Sequence, residues 1–254
     1  MAVHKAKIFA VTSTKGGTGK TTTVLNLAGI FSLQNKKTLI LDLDLYSSAV
    51  AASLNINYKK DFFNLVDDFH NKKFDFIENY VTKYNEYIDV LPAPKDPRHA
   101  NHIDGKYLNI ILSELSMKYD IILIDTNRYL SELILVTFDQ CDYILYVMSN
   151  DPIDLKSMKT MISIYKNMEQ DNYKVILNEA KDIQRNFFSD YDIKNIIKSN
   201  IDYTIPNSFY IKNIDKYVLD GEILTLNKKI RSSHKKAIKN FEMIANSLLK
   251  EKKN

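Results

Sequence analysis

Residues 13–22 read Ser13-Thr14-Lys15-Gly16-Gly17-Thr18-Gly19-Lys20-Thr21-Thr22 and contain three of the six glycines of the chain. An apolar run at 8–11 precedes this stretch, and apolar residues at helical spacing follow it from Val24 to Phe31. The pattern predicts a strand, a glycine-rich turn and the start of a helix. Glycine lets successive backbone N–H groups point at one anion, and the helix dipole adds positive potential there. The stretch is therefore predicted to bind phosphate.

Two lysines and a hydroxyl give this turn the chemistry of a nucleotide site. In a P-loop the lysine of Gly-Lys-Thr reaches the β- and γ-phosphates and the next hydroxyl binds Mg²⁺, and these roles fall here to Lys20 and Thr21. The strict motif has glycine where Thr14 stands, so the match is to a variant with a second lysine, Lys15. The remaining predicted phosphate contacts are Gly16, Gly17, Thr18, Gly19 and Thr22.

Three carboxylates follow apolar segments that are predicted to be buried strands. Asp42 and Asp44 end the segment 38–44, and Asp125 ends the segment 119–125. Ligands of doubly wound sheets bind beyond the carboxyl ends of the strands. We predict that Asp42 and Asp125 join Thr21 in a Mg²⁺ site and that Asp44 orients the attacking water. Capping of the next helix is the alternative role of Asp42 and Asp44.

Two further residues are predicted to contact the nucleotide. Asn178 follows the predicted strand 173–177, and its amide can donate to and accept from an adenine edge at once. Pro206 follows the predicted strand 201–205, and we predict that it also contacts the nucleotide.

Apolar strands alternate with helical patterns along the whole chain, which is typical of an α/β protein. We predict a single three-layer α/β/α domain over 1–254, with a mostly parallel, doubly wound sheet of the P-loop NTPase kind. The predicted strands are 8–11, 38–44, 87–91, 119–125, 143–148, 173–177 and 201–205.

Composition predicts a cytoplasmic protein, with recruitment to a pole, the nucleoid or membrane-bound machinery as a further option. The chain of 254 residues is 45% hydrophobic and 26% charged, and its single cysteine, Cys141, permits no internal disulfide. We expect no membrane span, because no apolar run approaches the roughly 20 residues that one needs. We also expect no signal peptide, because the first strand is predicted within about six residues of the start.

The C-terminal region is strongly basic. Residues 227–254 hold nine Lys or Arg against two Glu, which gives +7 in a chain of net charge +4. We predict a helix over 230–250 that docks on the domain through one apolar stripe and exposes these charges to solvent. Contact with DNA, anionic lipid or an acidic partner is the alternative.

With these motifs in place, the sequence resembles the ParA/MinD group of deviant Walker ATPases. Lys15 to Thr22 match the two-lysine P-loop, and the segment 41–44 matches switch I. Asp125 matches the Walker B carboxylate and Asn178 the adenine-binding asparagine. The resemblance implies ATP and Mg²⁺ as cofactors and a dimer that sandwiches two nucleotides. It also implies that Lys15 reaches the partner's phosphates, with Lys15, Lys20 and Asp44 as the catalytic residues.

Within that group the chain looks most like CpaE/TadZ, the ATPases that position and assemble Tad pili. Three segments carry this likeness: 42–45, 91–100 and 125–132, where Arg128 replaces the Thr-Pro-Pro common in ParA. The 254 residues hold no counterpart of the N-terminal receiver-like domain usual in CpaE/TadZ.

Three functions remain open at this point. The first is an ATP-dependent dimerising switch that engages a cargo or an ATPase-stimulating protein, as in CpaE/TadZ. The second is a partition ATPase that binds nucleoid DNA without sequence preference. The third is a MinD-like membrane-cycling ATPase, which we rank last because the tail 250–254 has no apolar residue to insert. An iron–sulfur reductase is set aside because Cys141 is the only cysteine.

Overall fold

Eight strands form one sheet in the computed structural model, which describes residues 5–103, 105–180 and 188–250. The strands are β1 (Lys7–Thr12), β2 (Thr38–Leu43), β3 (Thr82–Lys83), β4 (Ile88–Leu91), β5 (Ile121–Thr126), β6 (Tyr143–Met148), β7 (Tyr173–Asn178) and β8 (Tyr203–Ile205). Their order across the sheet is β3-β4-β2-β5-β1-β6-β7-β8. Every neighbouring pair is parallel except β3 with β4. The predicted fold class is confirmed.

All seven predicted strands are present, with ends that differ from the prediction by at most two residues. The strand that the sequence did not predict is β3, which has two residues and pairs antiparallel with Asp89 and Val90. Two residues are too few to show the alternation of apolar and polar side chains that predicts a strand, and this edge strand joins the sheet through its backbone.

Helices cover both faces of the sheet. They are α1 (Lys20–Leu33), α2 (Ala49–Ser53), α3 (Phe62–His70), α4 (Leu108–Ser116), α5 (Glu132–Gln140), α6 (Pro152–Asn167), α7 (Asp190–Ile197), α8 (Ile214–Leu219), α9 (Lys228–Ser233) and α10 (Lys235–Lys250). Side chains alternate along each strand, so Ile8 and Ala10 join the core beneath α3 to α7 while Phe9 and Val11 join the core beneath α1 and α10. In the described ranges, none of the helices has the length and apolar character needed to cross a bilayer.

The C-terminal segment differs from the single helix predicted over 230–250. It forms α9 and α10, separated at His234, whose φ of −117° and ψ of 39° are not helical. The side chain of Asn227 caps α9 by accepting from the N–H groups of Lys229 and Ile230. The buried stripe of α10 packs on α1 and consists of Ala237, Ile238, Phe241, Ile244, Ala245 and Leu248.

Gly29 in α1 lies directly under the segment 223–226. A Cβ at this position would meet Thr225 Oγ1 at 2.2 Å and Ile223 Cγ2 at 2.8 Å. Thr225 cannot yield easily, because its hydroxyl donates to Asn26 O at 2.9 Å and its N–H to Asn26 Oδ1 at 3.0 Å.

We therefore expect Gly29→Ala to lower the free energy of unfolding by about 1–3 kcal/mol, despite the higher helix propensity of alanine. Thermal unfolding should show a Tm about 3–10 °C below the wild type. Gly105→Ala is the matched control, because a Cβ there would meet its nearest atoms at 3.6 Å, an ordinary contact. A Tm for Gly29→Ala equal to that of Gly105→Ala would contradict the tight packing.

Candidate functional site

The glycine-rich loop (residues 13–19) lies between the carboxyl end of β1 and the first turn of α1, as the sequence predicted. Gly17 and Gly19 have φ values of 71° and 99°, in the left-handed region that favours glycine. Gly19 is also the N-cap residue of α1 and supplies no side-chain cap, so the first N–H groups of the helix receive no hydrogen bond from it. This backbone forms a concave anion site at a helix N-terminus.

Lys15 in the loop and Lys20 at the start of α1 have different partners. Lys20 Nζ donates to Ser13 Oγ at 3.1 Å, and Ser13 Oγ donates to the carbonyl of Lys15 at 2.7 Å. Lys15 Nζ instead forms an ion pair with Asp151 Oδ2 at 3.0 Å, with 40% of the lysine side chain and 30% of the aspartate side chain exposed. Lys15 thereby lowers the pKa of Asp151. Lys15 is therefore held beside the loop by Asp151 of the same chain.

The N-terminus of α6 braces the same loop from the side. Thr14 Oγ1 donates to Asp154 Oδ1 at 2.7 Å, and the other oxygen of Asp154 accepts from the N–H of Ser149 at 2.7 Å. Asp154 is fully buried, so these hydrogen bonds compensate its desolvation. Sequence reasoning missed both Asp151 and Asp154. An Asp-Pro pair such as 151–152 is typical of a helix start, but it carries no sign of a contact with a distant loop.

Asp42 and Asp125 lie side by side at the carboxyl ends of β2 and β5, where they are register partners. Both are fully buried. Burial is the main reason that the pKa of Asp125 rises to about 7, and burial followed by the charge of Asp125 raises the pKa of Asp42 well above its usual range. Asp42 accepts from the N–H of Asp44 at 3.0 Å and of Val50 at 3.2 Å. Two desolvated carboxyls therefore lie together at the carboxyl edge of the sheet.

One oxygen of Asp125 fits a metal ligand role. Asp125 Oδ2 accepts from Thr21 Oγ1 at 2.6 Å, while the buried Oδ1 has no hydrogen-bond partner among the described residues. Within the same residues, no group of three or more His, Cys, Asp or Glu is arranged to hold a metal. Mg²⁺ commonly takes one or two protein oxygens and completes its shell with phosphate and water, so Thr21 and Asp125 fit such an ion.

Asp44 lies in the turn after β2 and is half-buried. Its carbonyl accepts from the N–H of Ser47 at 3.0 Å, which fixes the turn. The charge of Asp44 contributes to the raised pKa of Asp125, so the two carboxyls are close enough to interact. The three carboxylates predicted from sequence are therefore gathered on the side of β1 where β5 and β2 lie.

A mostly apolar cavity of about 260 Å³ opens on the opposite side of the loop, toward β7 and β8. Its lining includes Gly17, Gly19, Thr22, Asn178, Ile205 and Phe209. Pro206 is buried and precedes the 3₁₀ turn Asn207–Phe209, which delivers the ring of Phe209 to this cavity. The size and the apolar lining suit the flat face of a nucleobase.

Asn178 lines this cavity but has both polar groups engaged with backbone. Its Nδ2 donates to the carbonyl of Thr18 at 2.8 Å, and its Oδ1 accepts from the N–H of Ala180 at 3.1 Å. A Cβ on Gly19 would lie 2.4 Å from this Nδ2, so the loop and the amide are in close contact. In this structure Asn178 positions the glycine-rich loop, a role that the sequence did not reveal.

Comparison with known proteins places the chain in a family. The family pattern AAA_31, described as an AAA domain, matches residues 6–179. A Pseudomonas putida protein named only as uncharacterised is 28% identical over 169 residues, which are 63% of this chain and 63% of that protein. The chain thus spans about 63% of the length of this curated relative.

Solved structures share the fold. The ParA family ATPase of Chlorobium tepidum TLS has a TM-score of 0.80 at 18% identity and covers 94% of this chain and 98% of its own. The septum site-determining protein MinD of Pyrococcus horikoshii OT3, complexed with Mg-ADP, has a TM-score of 0.77 at 21% identity and covers 96% of both chains. At these identities the likeness establishes the fold alone. Because the family pattern spans well over half of its length, the chain belongs to the AAA_31 family of AAA domains and has the fold of the ParA and MinD ATPases.

Proposed function

We propose that the protein is an ATP-dependent molecular switch. ATP with Mg²⁺ binds at the glycine-rich loop, two copies of the chain close over the nucleotides, and slow hydrolysis opens the pair again. The observation that carries this proposal is that Lys15 in the loop and Lys20 at the start of α1 flank the anion site, beside the pair Thr21 and Asp125. Mg-ADP in the P. horikoshii MinD structure supports the choice of nucleotide and metal.

Each residue has a distinct role in the proposed reaction. Lys20 and the N–H groups of residues 16–22 hold the phosphates, and Thr21 and Asp125 hold Mg²⁺, with Asp42 supporting the metal's water shell. When bound by these residues, Mg²⁺ would supply positive charge that neutralises the phosphates. Asp44 orients a water whose oxygen bonds to the γ-phosphorus as the bond to the bridging oxygen breaks, which yields ADP, phosphate and a proton. Lys15 leaves Asp151 and reaches the phosphates of the partner copy.

The working output of such a switch is the positioning of other machinery, and we propose Tad pilus assembly of the CpaE/TadZ kind. The switch I segment, the segment 91–100 and the Arg128 region motivate this choice. The turn that follows the switch I segment contacts the segment 91–100, because Ser48 Oγ donates to the carbonyl of Pro94 at 2.8 Å. A cargo or stimulating protein that presses on 91–100 would therefore also reach the turn that carries Asp44.

Oligomeric state and turnover test the switch directly. With Mg²⁺ and a non-hydrolysable ATP analogue, light scattering after size exclusion should report a dimer, and with ADP a monomer. Phosphate release should be slow with the protein alone. A monomer under both conditions, or no nucleotide binding, would refute the proposal.

The second candidate function is ATP-dependent binding to DNA. Its motivation is a surface cleft of about 400 Å³ between α9 and α10 that is lined by Lys228, Arg231, Lys235 and Lys239, with Glu242 as the acidic member. Backbone phosphates would bind such a cleft without sequence preference and with steep salt dependence.

If DNA is the working surface, reversing two of these charges (Lys235→Glu with Lys239→Glu) should weaken retention on duplex DNA by about tenfold or more at 50 mM salt. Both side chains lie on the exposed side of α10, so the Tm should stay within about 1 °C. Fluorescence anisotropy with ATP and with ADP, between 50 and 200 mM salt, is the measurement. Absence of binding by the wild type at the lowest salt would remove this candidate.

A further inference from the structure

Arg128 lies in a short turn that is fixed directly after β5. The carbonyl of Asn127 accepts from Thr12 Oγ1 at 3.3 Å, and the side chain of Asn127 accepts from the N–H of Tyr129 at 2.8 Å. The first contact ties the turn to the end of β1, and the second closes it locally. Arg128 therefore extends from a defined backbone next to the glycine-rich loop.

The guanidinium of Arg128 lies against the loop itself. Its Nη1 is 3.7 Å from the position that a Cβ on Gly16 would occupy. Its Nη2 donates to the hydroxyl of Tyr129 at 2.8 Å, and its central carbon is 4.9 Å from the centroid of that ring. Tyr129 thus holds the guanidinium by a hydrogen bond and a cation–π contact, and Nη1 remains directed at the loop region.

The charge of Arg128 has no carboxylate counterpart in the described ranges, where none of the ion pairs involves it. Lys15, the residue before Gly16, is instead paired with Asp151. A guanidinium offers several N–H donors in a planar fork that matches phosphate oxygens. An uncompensated guanidinium beside an anion-binding loop is therefore suited to an anionic ligand.

The side of the loop from which Arg128 comes identifies which phosphate it meets. In the sheet, β5 lies on one side of β1, and β7 and β8 lie on the other. Asn178 and Ile205 line the nucleobase cavity on the β7 side, whereas Arg128 follows β5, which places Asp125. The β5 side also carries the proposed metal ligands, which meet the β- and γ-phosphates rather than the base.

We propose that Arg128 binds the γ-phosphate of the nucleotide held by its own chain and makes the site prefer ATP over ADP, with Tyr129 as its positioning residue. The inference rests on the proposed function and adds a third cation to Lys15 and Lys20. Unlike Lys15, it acts before any second copy arrives. As a group that touches substrate, Arg128 is a catalytic residue, and its contact gives the loaded chain a preference for triphosphate that the loop backbone alone does not provide.

The test measures affinities for a fluorescent non-hydrolysable ATP analogue and for fluorescent ADP. Arg128→Ala should lower the affinity for the ATP analogue by about tenfold or more and change the affinity for ADP by less than about twofold. Arg128→Lys should recover part of the loss, because lysine keeps the charge but not the fork. Tyr129→Ala should lower the affinity for the ATP analogue by about two- to threefold, because the guanidinium of Arg128 is then less ordered. Arg98→Ala is the matched control, since this exposed arginine is paired with Asp96 and should leave both affinities unchanged.

The outcomes separate this inference from the proposed function. A wild type that binds neither nucleotide refutes the function itself. A wild type that prefers ATP, with the same ATP-to-ADP ratio in Arg128→Ala, overturns only the role of Arg128. Repeating Arg128→Ala in a Lys15→Ala background, where no dimer is expected, tests the assignment to the same chain. Loss of the Arg128 effect in that background would overturn it.

Discussion

Replacing Lys15 with alanine should abolish ATP-dependent dimerisation and lower ATP turnover by about hundredfold or more, while nucleotide binding persists in part. The physical reason is that a cation supplied across an interface stabilises charge only when the pair is closed. Lys20 and the loop backbone remain and keep their contacts with the phosphates. Light scattering with the ATP analogue, phosphate release and nucleotide titration measure the three effects separately.

The matched control acts on the partner of Lys15 rather than on Lys15. Asp151→Asn removes the 3.0 Å ion pair and frees the lysine. Half-exposed pairs contribute roughly 0–1 kcal/mol, so this variant should still dimerise, with an affinity equal to or up to about fivefold tighter than the wild type. Unchanged dimerisation and turnover in Lys15→Ala would rule out a trans-acting lysine.

The second large effect is expected from Asp125→Asn, which should stabilise the nucleotide-free protein and remove the Mg²⁺ dependence of nucleotide binding. Asp125 is fully buried beside Asp42, and burial raises its pKa to about 7. The folded chain therefore keeps a proton that the unfolded chain releases above about pH 4. The free energy of unfolding falls as the pH rises from about 4 to about 7. An amide has no such titration.

At pH 8 we expect a gain on the order of 2 kcal/mol, or about 4–8 °C in Tm, for Asp125→Asn without nucleotide. At pH 5 the gain should be smaller, because the wild-type carboxyl is then protonated in the folded state. Thermal unfolding at the two pH values, with and without Mg-ATP, checks both parts. A Tm below the wild type at pH 8 would show that the hydrogen bond from Thr21 outweighs the desolvation of the charge.

The order of elements was predictable because its signals are local. The strands of a parallel sheet are buried on both faces and appear as continuous apolar runs, as in 121–124 and 143–148. The glycine-rich loop was equally predictable from the sequence, and its Gly17 and Gly19 adopt the positive φ values that favour glycine. The edge strand β3 and the helix break at His234 were missed, because a two-residue strand and a local change of dihedral leave no periodic pattern.

Side-chain partners across the sheet were not predictable in the same way. Asn178 was predicted to contact an adenine edge, and the structure adds that its side chain bonds to the backbone of Thr18 and Ala180. The segments involved are 160 residues apart in the chain, so only the packing of β7 beside the loop brings them together. Thr14 and Asp154 are likewise separated by 140 residues.

By itself, the sequence determined the kinds of groups that this protein brings to an anion: a flexible backbone turn, two lysines, a hydroxyl and carboxylates at strand ends. These properties are set by neighbours in the chain. The tertiary structure alone decided that Lys15 is paired with Asp151, that Asp42 and Asp125 share a dry site, and that Arg128 lies over Gly16. The physical reason is that pairing, desolvation and contact depend on which distant segments the sheet order makes adjacent.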